Sequence, residues 1–200
     1  FTMFWNSVAI TAGILLGQCV FAVPAAWALA KLRLPRGLGN LYMVLMLLPF
    51  QVLMYPEYLV LRALGLLDTL WAVILPGIFS ACPVFLLTRF FAAIPEEILE
   101  AARLDGAGEW QIFLHIALPM GLPGLLSVGI LSFLDAWNLI EQPMTFLKSR
   151  ALSLFLPETT LADVGLGFAA ALLMLIPALL LFGLCQNALE QGIALSGGKE

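Results

Sequence analysis

Five stretches of this chain, at approximately 7–30, 38–56, 69–91, 120–140 and 164–186, stay apolar for about the 20 residues that a helix needs to cross a bilayer. That feature constrains the fold more than any other. In lipid a segment must satisfy its backbone hydrogen bonds internally, which these lengths do as helices. Composition agrees: 62% of the 200 residues are hydrophobic and 11% are charged, against roughly a quarter charged in a soluble domain. The sequence therefore predicts an all-α, polytopic membrane protein. Between the spans lie KLRLPRG (31–37), a segment from Glu57 to Asp68, a charged block at 92–119, the stretch 141–163 and a polar tail from Gln186.

Orientation follows from the cations that flank the spans. Lys31, Arg33, Arg36, Arg89, Arg103 and Lys199 share one side, and Arg62, Lys148 and Arg150 the other. The majority side is assigned to the cytoplasm, which places residue 1 outside and residues 92–119 inside. The chain opens on Phe1 with no basic segment or cleavage site, so it does not begin with a signal peptide and reads as part of a longer protein. The three cysteines, Cys19, Cys82 and Cys185, form no close pair. They suit neither a disulfide framework nor a zinc site and are expected as buried, inert thiols. In the first span Asn6, Gly13, Gly17 and Pro24 fall near one helical line, and Gly13 with Gly17 forms a GxxxG pair that lets another helix approach closely. Which helix that is stays open.

Residues 100–119, EAARLDGAGEWQIFLHIALP, break the apolar pattern. Pro95 followed by Glu96 and Glu97 is a helix start, with acids where the helix dipole favours them. Leu99, Ala101 and Ala102 are expected on one side, with Glu100, Arg103 and Asp105 elsewhere. Gly106 and Gly108 bracket a turn, and Trp110, Ile112, Phe113, Ile116 and Leu118 begin a second amphipathic piece that Pro119 closes. On physical grounds three roles compete: a solvated linker, a helix lying on the membrane surface, and a docking knob for a cytoplasmic partner.

The spacing Glu100-Ala101-Ala102, three residues, Gly106, nine residues, Ile116, one residue, Leu118-Pro119 resembles the EAA motif of binding-protein-dependent ABC transporter permeases at each defining position. AWALAKLRLP at the end of the first span, LGLLDT at 64–69, IPEEILEAARLDGA at 94–107 and Trp137-Asn138 are similar to the carbohydrate-importing branch, the maltose-type second permease subunit in particular. The resemblance implies the type I importer permease fold, with one more span at the N-terminus. It also implies a second permease subunit completing a heterodimer, two ATPase subunits that carry ATP and Mg, an external solute-binding protein, and a bacterial inner-membrane location. No nucleic-acid partner is expected. In such a protein Glu100, Ala101, Ala102, Arg103, Asp105, Gly106, Ile116, Leu118 and Pro119 would form the ATPase-coupling loop. Glu100 and Arg103 would contact the ATPase, the alanines would permit the fit, and Gly106 would shape the turn.

Catalysis by this chain is not expected. Gly192 and Gly197 have the spacing of a phosphate loop, but Gly198 stands where the lysine is needed. His115, the only histidine, has no nucleophile or acid arranged with it and is expected on a helix surface. No metal or cofactor site is read in this chain. Candidate pathway residues are Asp135, Asn138 and Gln142, which step by three and four along one helix face, with Glu141 beside them and Trp137 as a flat surface for a sugar. An anchoring cluster at the outer membrane surface is the competing reading of those residues. Gln51 and Tyr55 are further candidates. An ABC permease for a non-sugar solute and an ion-driven secondary transporter are the alternative functions. The latter lacks the internal repeat such proteins usually carry.

Overall fold

The computed structural model describes residues 2–31, 36–148 and 164–197. Ten helices and one π turn run through them: α1 (Thr2–Lys31), α2 (Arg36–Met46), α3 (Phe50–Ala63), α4 (Trp71–Ile78), α5 (Ala81–Ala92), α6 (Glu96–Leu104), α7 (Glu109–Ile112), the π turn Phe113–Ala117, α8 (Leu118–Trp137), α9 (Glu141–Phe146) and α10 (Val164–Gly197). Among the described residues three helical segments are long and apolar enough to cross a membrane, namely Thr2–Lys31, Trp71–Ala92 and Glu109–Trp137. A fourth is reached if α2 and α3 count as one bent span. Five spans are predicted from the sequence. In α10 the described apolar stretch is Gly167–Gly183, shorter than the other three.

The straight span predicted over 38–56 is replaced by two helices meeting at 103°. Pro49 accounts for the break. It has no N–H to continue the ladder of α2 and pushes the residue before it out of the helical region. The last turn of α2 tightens instead, with Leu47 N–H donating to the Val44 carbonyl at 3.1 Å and Leu48 N–H to that of Leu45 at 3.2 Å. Pro49 itself is extended, at φ −70 and ψ 150, and starts α3 in a new direction.

Two buried clusters sit at opposite ends of α1 and are termed inner and outer after the orientation expected from the flanking cations. The inner one joins Trp27 of α1, Leu87 and Phe91 of α5, Leu99 of α6, Ile112 and Phe113. The outer one joins Ile10 and Ile14 of α1, Leu61 of α3, Val73 and Ile78 of α4, and Phe146. Lipid is as apolar as these side chains, so close packing rather than water exclusion holds the helices together. The close approach of α1 occurs within this chain: a Cβ on Gly13 would lie 3.0 Å from Ile74 Cδ1, and one on Gly17 only 2.3 Å from Ile78 Cγ1. Gly77 of α4 returns the fit, since its Cβ would meet Ile14 Cδ1 at 2.6 Å. Gln18 donates to the Gly77 carbonyl at 2.9 Å and fixes the register. Large apolar side chains that face outward, such as Leu16 and Phe21 on α1 and Phe168 and Leu180 on α10, suit lipid or another membrane subunit and not water.

The cysteine expectation is corrected. Cys19 and Cys82 are free but exposed, because α1 turns Cys19 outward and Cys82 opens the first turn of α5. Cys185 lies outside the described side chains, and Arg33, Arg150 and Lys199 lie outside the described residues. Gly192 and Gly197 belong to the backbone of α10, not to a loop.

Candidate functional site

Residues 95–119 fold into an elbow. Pro95 precedes α6 in an extended conformation, and Glu96 and Glu97 occupy the first turn. At the other end Gly106 takes φ +85, the left-handed region that costs an L side chain about 1–2 kcal/mol. That conformation lets Ala107 N–H reach the Ala102 carbonyl and Gly106 N–H the Arg103 carbonyl, both at 3.0 Å. This is the Schellman termination, and Ala102 and Ala107 both pack on the inner cluster beside it. Two residues on, Gln111 folds back to accept from Gly108 N–H at 2.9 Å. Gly108 has no side chain to return the bond, so the cap of α7 is one-sided. The π turn Phe113–Ala117 then carries the elbow into α8 without a loop.

Four charged side chains clasp the elbow. Lys31, at the end of α1, donates to the Ile94 carbonyl at 2.6 Å and reaches Glu96 at 3.3 Å. Arg103 bridges α6 and α7, with Nη1 2.9 Å from Glu96 Oε1 and Nε 2.8 Å from Glu109 Oε1. Its two carboxylate partners, Glu109 first and Glu96 second, hold the guanidinium above its ordinary range. The hydrogen bond from Arg103, helped by Lys31, holds the Glu96 carboxyl below its usual 4.5. A carboxyl whose folded-state value is depressed contributes stability above its unfolded value and loses it as pH falls through the folded one. The elbow is therefore expected to stay clasped at neutral pH and to loosen only below the ordinary carboxylate range. The protection of the α6 and α7 amides, taken relative to their intrinsic exchange rates, should fall on acidification to about pH 3 in the native chain, while Glu96→Gln should show the lower protection already at neutrality. Identical profiles for the two would remove Glu96 from the clasp.

The sequence-predicted coupling residues divide between two faces. Glu100, Ala101, Asp105, Gly106 and Pro119 are exposed, whereas Ala102, Ile116 and Leu118 are half-buried against the inner cluster. One expectation is corrected. Ala101 does not share the side of Leu99: Leu99 is fully buried, and Ala101, two residues on, points the other way. Arg103 is paired within the elbow with Glu96 and Glu109. Sequence reasoning missed Leu104, which is 89% exposed at the tip of α6. Its spacing to Ala101 and Ile98, three and six residues, marks one helix face, and all three are exposed. Trp110 extends the apolar surface across the turn, 61% exposed with its ring 5.2 Å from Phe113. His115 is on the surface as expected, beside the Gln111 carbonyl at 3.0 Å.

A cavity of about 580 Å³ opens between α1, α2, α3, α4, α5, α8 and α9. Asp135 and Gln142 line it, joined by Glu57, Gln18 and Ser132, none of which sequence reasoning selected. Their positions along the chain gave no shared face to read. The other pathway candidates behave differently. Helix α8 ends at Trp137, so Asn138 and Gln142 do not continue the face of Asp135; Asn138 instead caps the helix by donating to the Leu134 carbonyl at 2.8 Å. Trp137 offers no surface to a sugar. It is 3% exposed, stacked on Phe133 at 5.8 Å, flanked by Phe4, and gives its N–H to the Met174 carbonyl at 2.9 Å. Gln51 donates to Glu141 at 2.8 Å and ties α3 to α9, while Tyr55 is exposed away from the cavity.

Residues 9–195 match the family described as "Binding-protein-dependent transport system inner membrane component". The chain belongs to this family. It is a membrane permease subunit of an ABC-type importer, located in the bacterial inner membrane as a multi-pass protein. Among curated relatives, the chain is 30% identical to an arabinooligosaccharides transport system permease protein of Halalkalibacterium halodurans over 99% of its own length and 74% of the relative's. It is 29% identical to a diacetylchitobiose uptake system permease of Streptomyces coelicolor, over 96% and 67%. It is also 34% identical to an sn-glycerol-3-phosphate transport system permease of Yersinia enterocolitica, over 68% and 49%. The crystal structure of a bacterial ABC transporter involved in the import of the acidic polysaccharide alginate superimposes with a TM-score of 0.73 at 25% identity, covering 99% of this chain and 75% of that one. An inward-facing methionine ABC transporter shares the fold at 0.73 and 18% identity, over 94% and 93%. Among the described residues of this permease no group of His, Cys, Asp and Glu is placed to hold a metal, and no cofactor site is seen.

Proposed function

We propose that this permease forms half of the passage for a sugar or sugar derivative and is driven by ATPase subunits that grip its elbow. What supports the coupling is one observation: the EAA segment is a charge-clasped elbow whose outer face is apolar and exposed at Ile98, Ala101, Leu104 and Trp110. Such a face, rimmed by Glu97, Glu100 and Asp105, suits a cleft in a cytoplasmic partner. Two ATPase subunits carrying ATP and Mg would close beneath two permease subunits, this one and a second of the same kind in a heterodimer. An external solute-binding protein would deliver the solute. Closure moves the elbow as a rigid body, and α5 and α8, fused to its two ends, tilt with it. In this reading Arg103 keeps α6 and α7 at a fixed angle, and α10 serves as a further span. The sugar class rests on the relatives named for arabinooligosaccharides and diacetylchitobiose and on the motifs of the maltose-type branch. The glycerol-3-phosphate relative favours the second reading, a non-sugar solute.

Cysteine introduced at Leu104 in the assembled transporter should crosslink to an ATPase subunit, and the yield should change when ATP is added. Cysteine at Leu16, on the outward face of α1, should give no such product. Equal yields from both positions would remove the elbow as the coupling point.

A further inference from the structure

The cavity at the centre of the bundle carries a charge pattern that bears on what it admits. Glu57 on α3 and Asp135 on α8 both line it, and among its described lining residues none is Lys, Arg or His. Asp135 is exposed there, and Oε2 of Glu57 is buried with no hydrogen-bond partner. Ionised carboxylates only accept hydrogen bonds. One N–H of the Gln18 amide is committed to the Gly77 carbonyl, which leaves its second N–H as a donor and its oxygen as an acceptor. Ser80, Ser132 and Gln142 supply groups that either donate or accept. The wall is therefore rich in acceptors and carries negative charge without a cation to balance it.

Taking the cavity as the passage proposed above, we infer that it admits a donor-rich solute without negative charge, a polyhydroxylated or amine-bearing saccharide, and excludes anionic ones such as uronates and sugar phosphates. Hydroxyl and ammonium groups can donate to the Asp135 carboxylate and to Glu57 Oε2, which has no hydrogen-bond partner. An anion would meet two like charges and displace none of them. The exclusion resides in Glu57 and Asp135, on helices that come together only in the folded bundle.

Cys82 provides a built-in reporter, because it lines the same cavity and its thiol is free and exposed. The transporter, assembled with its own second permease and ATPase subunits in proteoliposomes, would carry Cys19→Ser and Cys185→Ser so that only Cys82 of this chain reacts with a small maleimide. Three disaccharides of matched size serve as probes: neutral cellobiose, an amine-bearing glucosamine dimer and cellobiuronic acid. The first two are expected to slow labelling of Cys82 at concentrations at least about tenfold below the acid, the scale of a single like-charge contact. Protection by the acid at equal or lower concentration would overturn the charge inference and leave the passage in place. If none of the three slows labelling, solute does not occupy the cavity and both readings fall. In the paired variant Glu57→Gln with Asp135→Asn the gap between cellobiose and the acid should close. A gap that survives intact in a folded variant assigns the exclusion elsewhere and overturns the inference. Should that variant fail to fold, the three-probe comparison on the native cavity decides alone.

Discussion

Gly17→Ala is expected to destabilise the permease by about 1–3 kcal/mol, the usual cost of forcing atoms into a packed interior, and in an Ile78→Ala background, which carries its own cavity cost, the same change is expected to cost little. The added Cβ would sit 2.3 Å from Ile78 Cγ1 and 2.4 Å from its Cδ1, distances that no pair of carbons tolerates. Ile78 cannot swing away freely, because its branched side chain is buried in the outer cluster with Ile14 and Ile74. The helices must therefore separate, and separation also breaks the Gln18 bond to Gly77 and unseats Ile14 from the groove over Gly77. Because lipid supplies no hydrophobic penalty for parting, little else opposes it. Thermal unfolding in detergent of both single variants and the double variant reads the coupling directly. Strictly additive losses would mean that Gly17 and Ile78 do not touch, and the α1–α4 interface described above would be wrong.

How much of this was legible in the sequence depended on whether the signal was local. The elbow was legible because its parts are near neighbours: acids after Pro95, a glycine where the chain must turn left-handed, and an arginine seven residues from Glu96, two helical turns along. Lys31 completes the same clasp from 65 residues away, and nothing in its own surroundings announces that. The GxxxG pair displayed one half of a contact, while its other half, Ile74 and Ile78, resembles any apolar run. Trp137 shows the opposite failure. Its neighbours Asp135 and Asn138 suggested a polar, ligand-facing helix end, yet its burial is decided by Phe4 and by a carbonyl of α10. The break after α2 was present in the sequence as Pro49, but average hydrophobicity over a span-length window is insensitive to a single missing N–H. The cavity was illegible for a related reason. Glu57 looks like an isolated charge in apolar surroundings, Asp135 reads with Asn138 and Gln142 as a local polar face, and only the bundle places Glu57 and Asp135 on one wall.

At Gly106 the conformational demand and the spatial one separate cleanly, and a series of substitutions there tests the mechanism of coupling. No heavy atom lies within 4 Å of where a Cβ would stand, so a side chain has room, but φ of +85 penalises every L residue. Asparagine tolerates this region best, alanine should lose about 1 kcal/mol, and a β-branched residue more. Valine is thus expected to unwind the Schellman turn, release Ala107 from the Ala102 carbonyl, and free α7 from the angle that Arg103 holds. If the elbow works as a rigid lever, an elbow that samples several angles absorbs the movement of the ATPase without passing it to α5 and α8. Gly106→Val should then lower solute uptake roughly tenfold or more, as a loss near 1.4 kcal/mol implies, while basal ATP hydrolysis by the assembled complex continues. Gly106→Asn should retain most of the uptake and Gly106→Ala should fall between them. Uptake per ATP hydrolysed in proteoliposomes, with membrane insertion confirmed for each variant, ranks the three. A ranking by side-chain size in place of backbone tolerance, with asparagine as damaging as valine, would show that the partner reads the surface at Gly106 and not the stiffness of the turn.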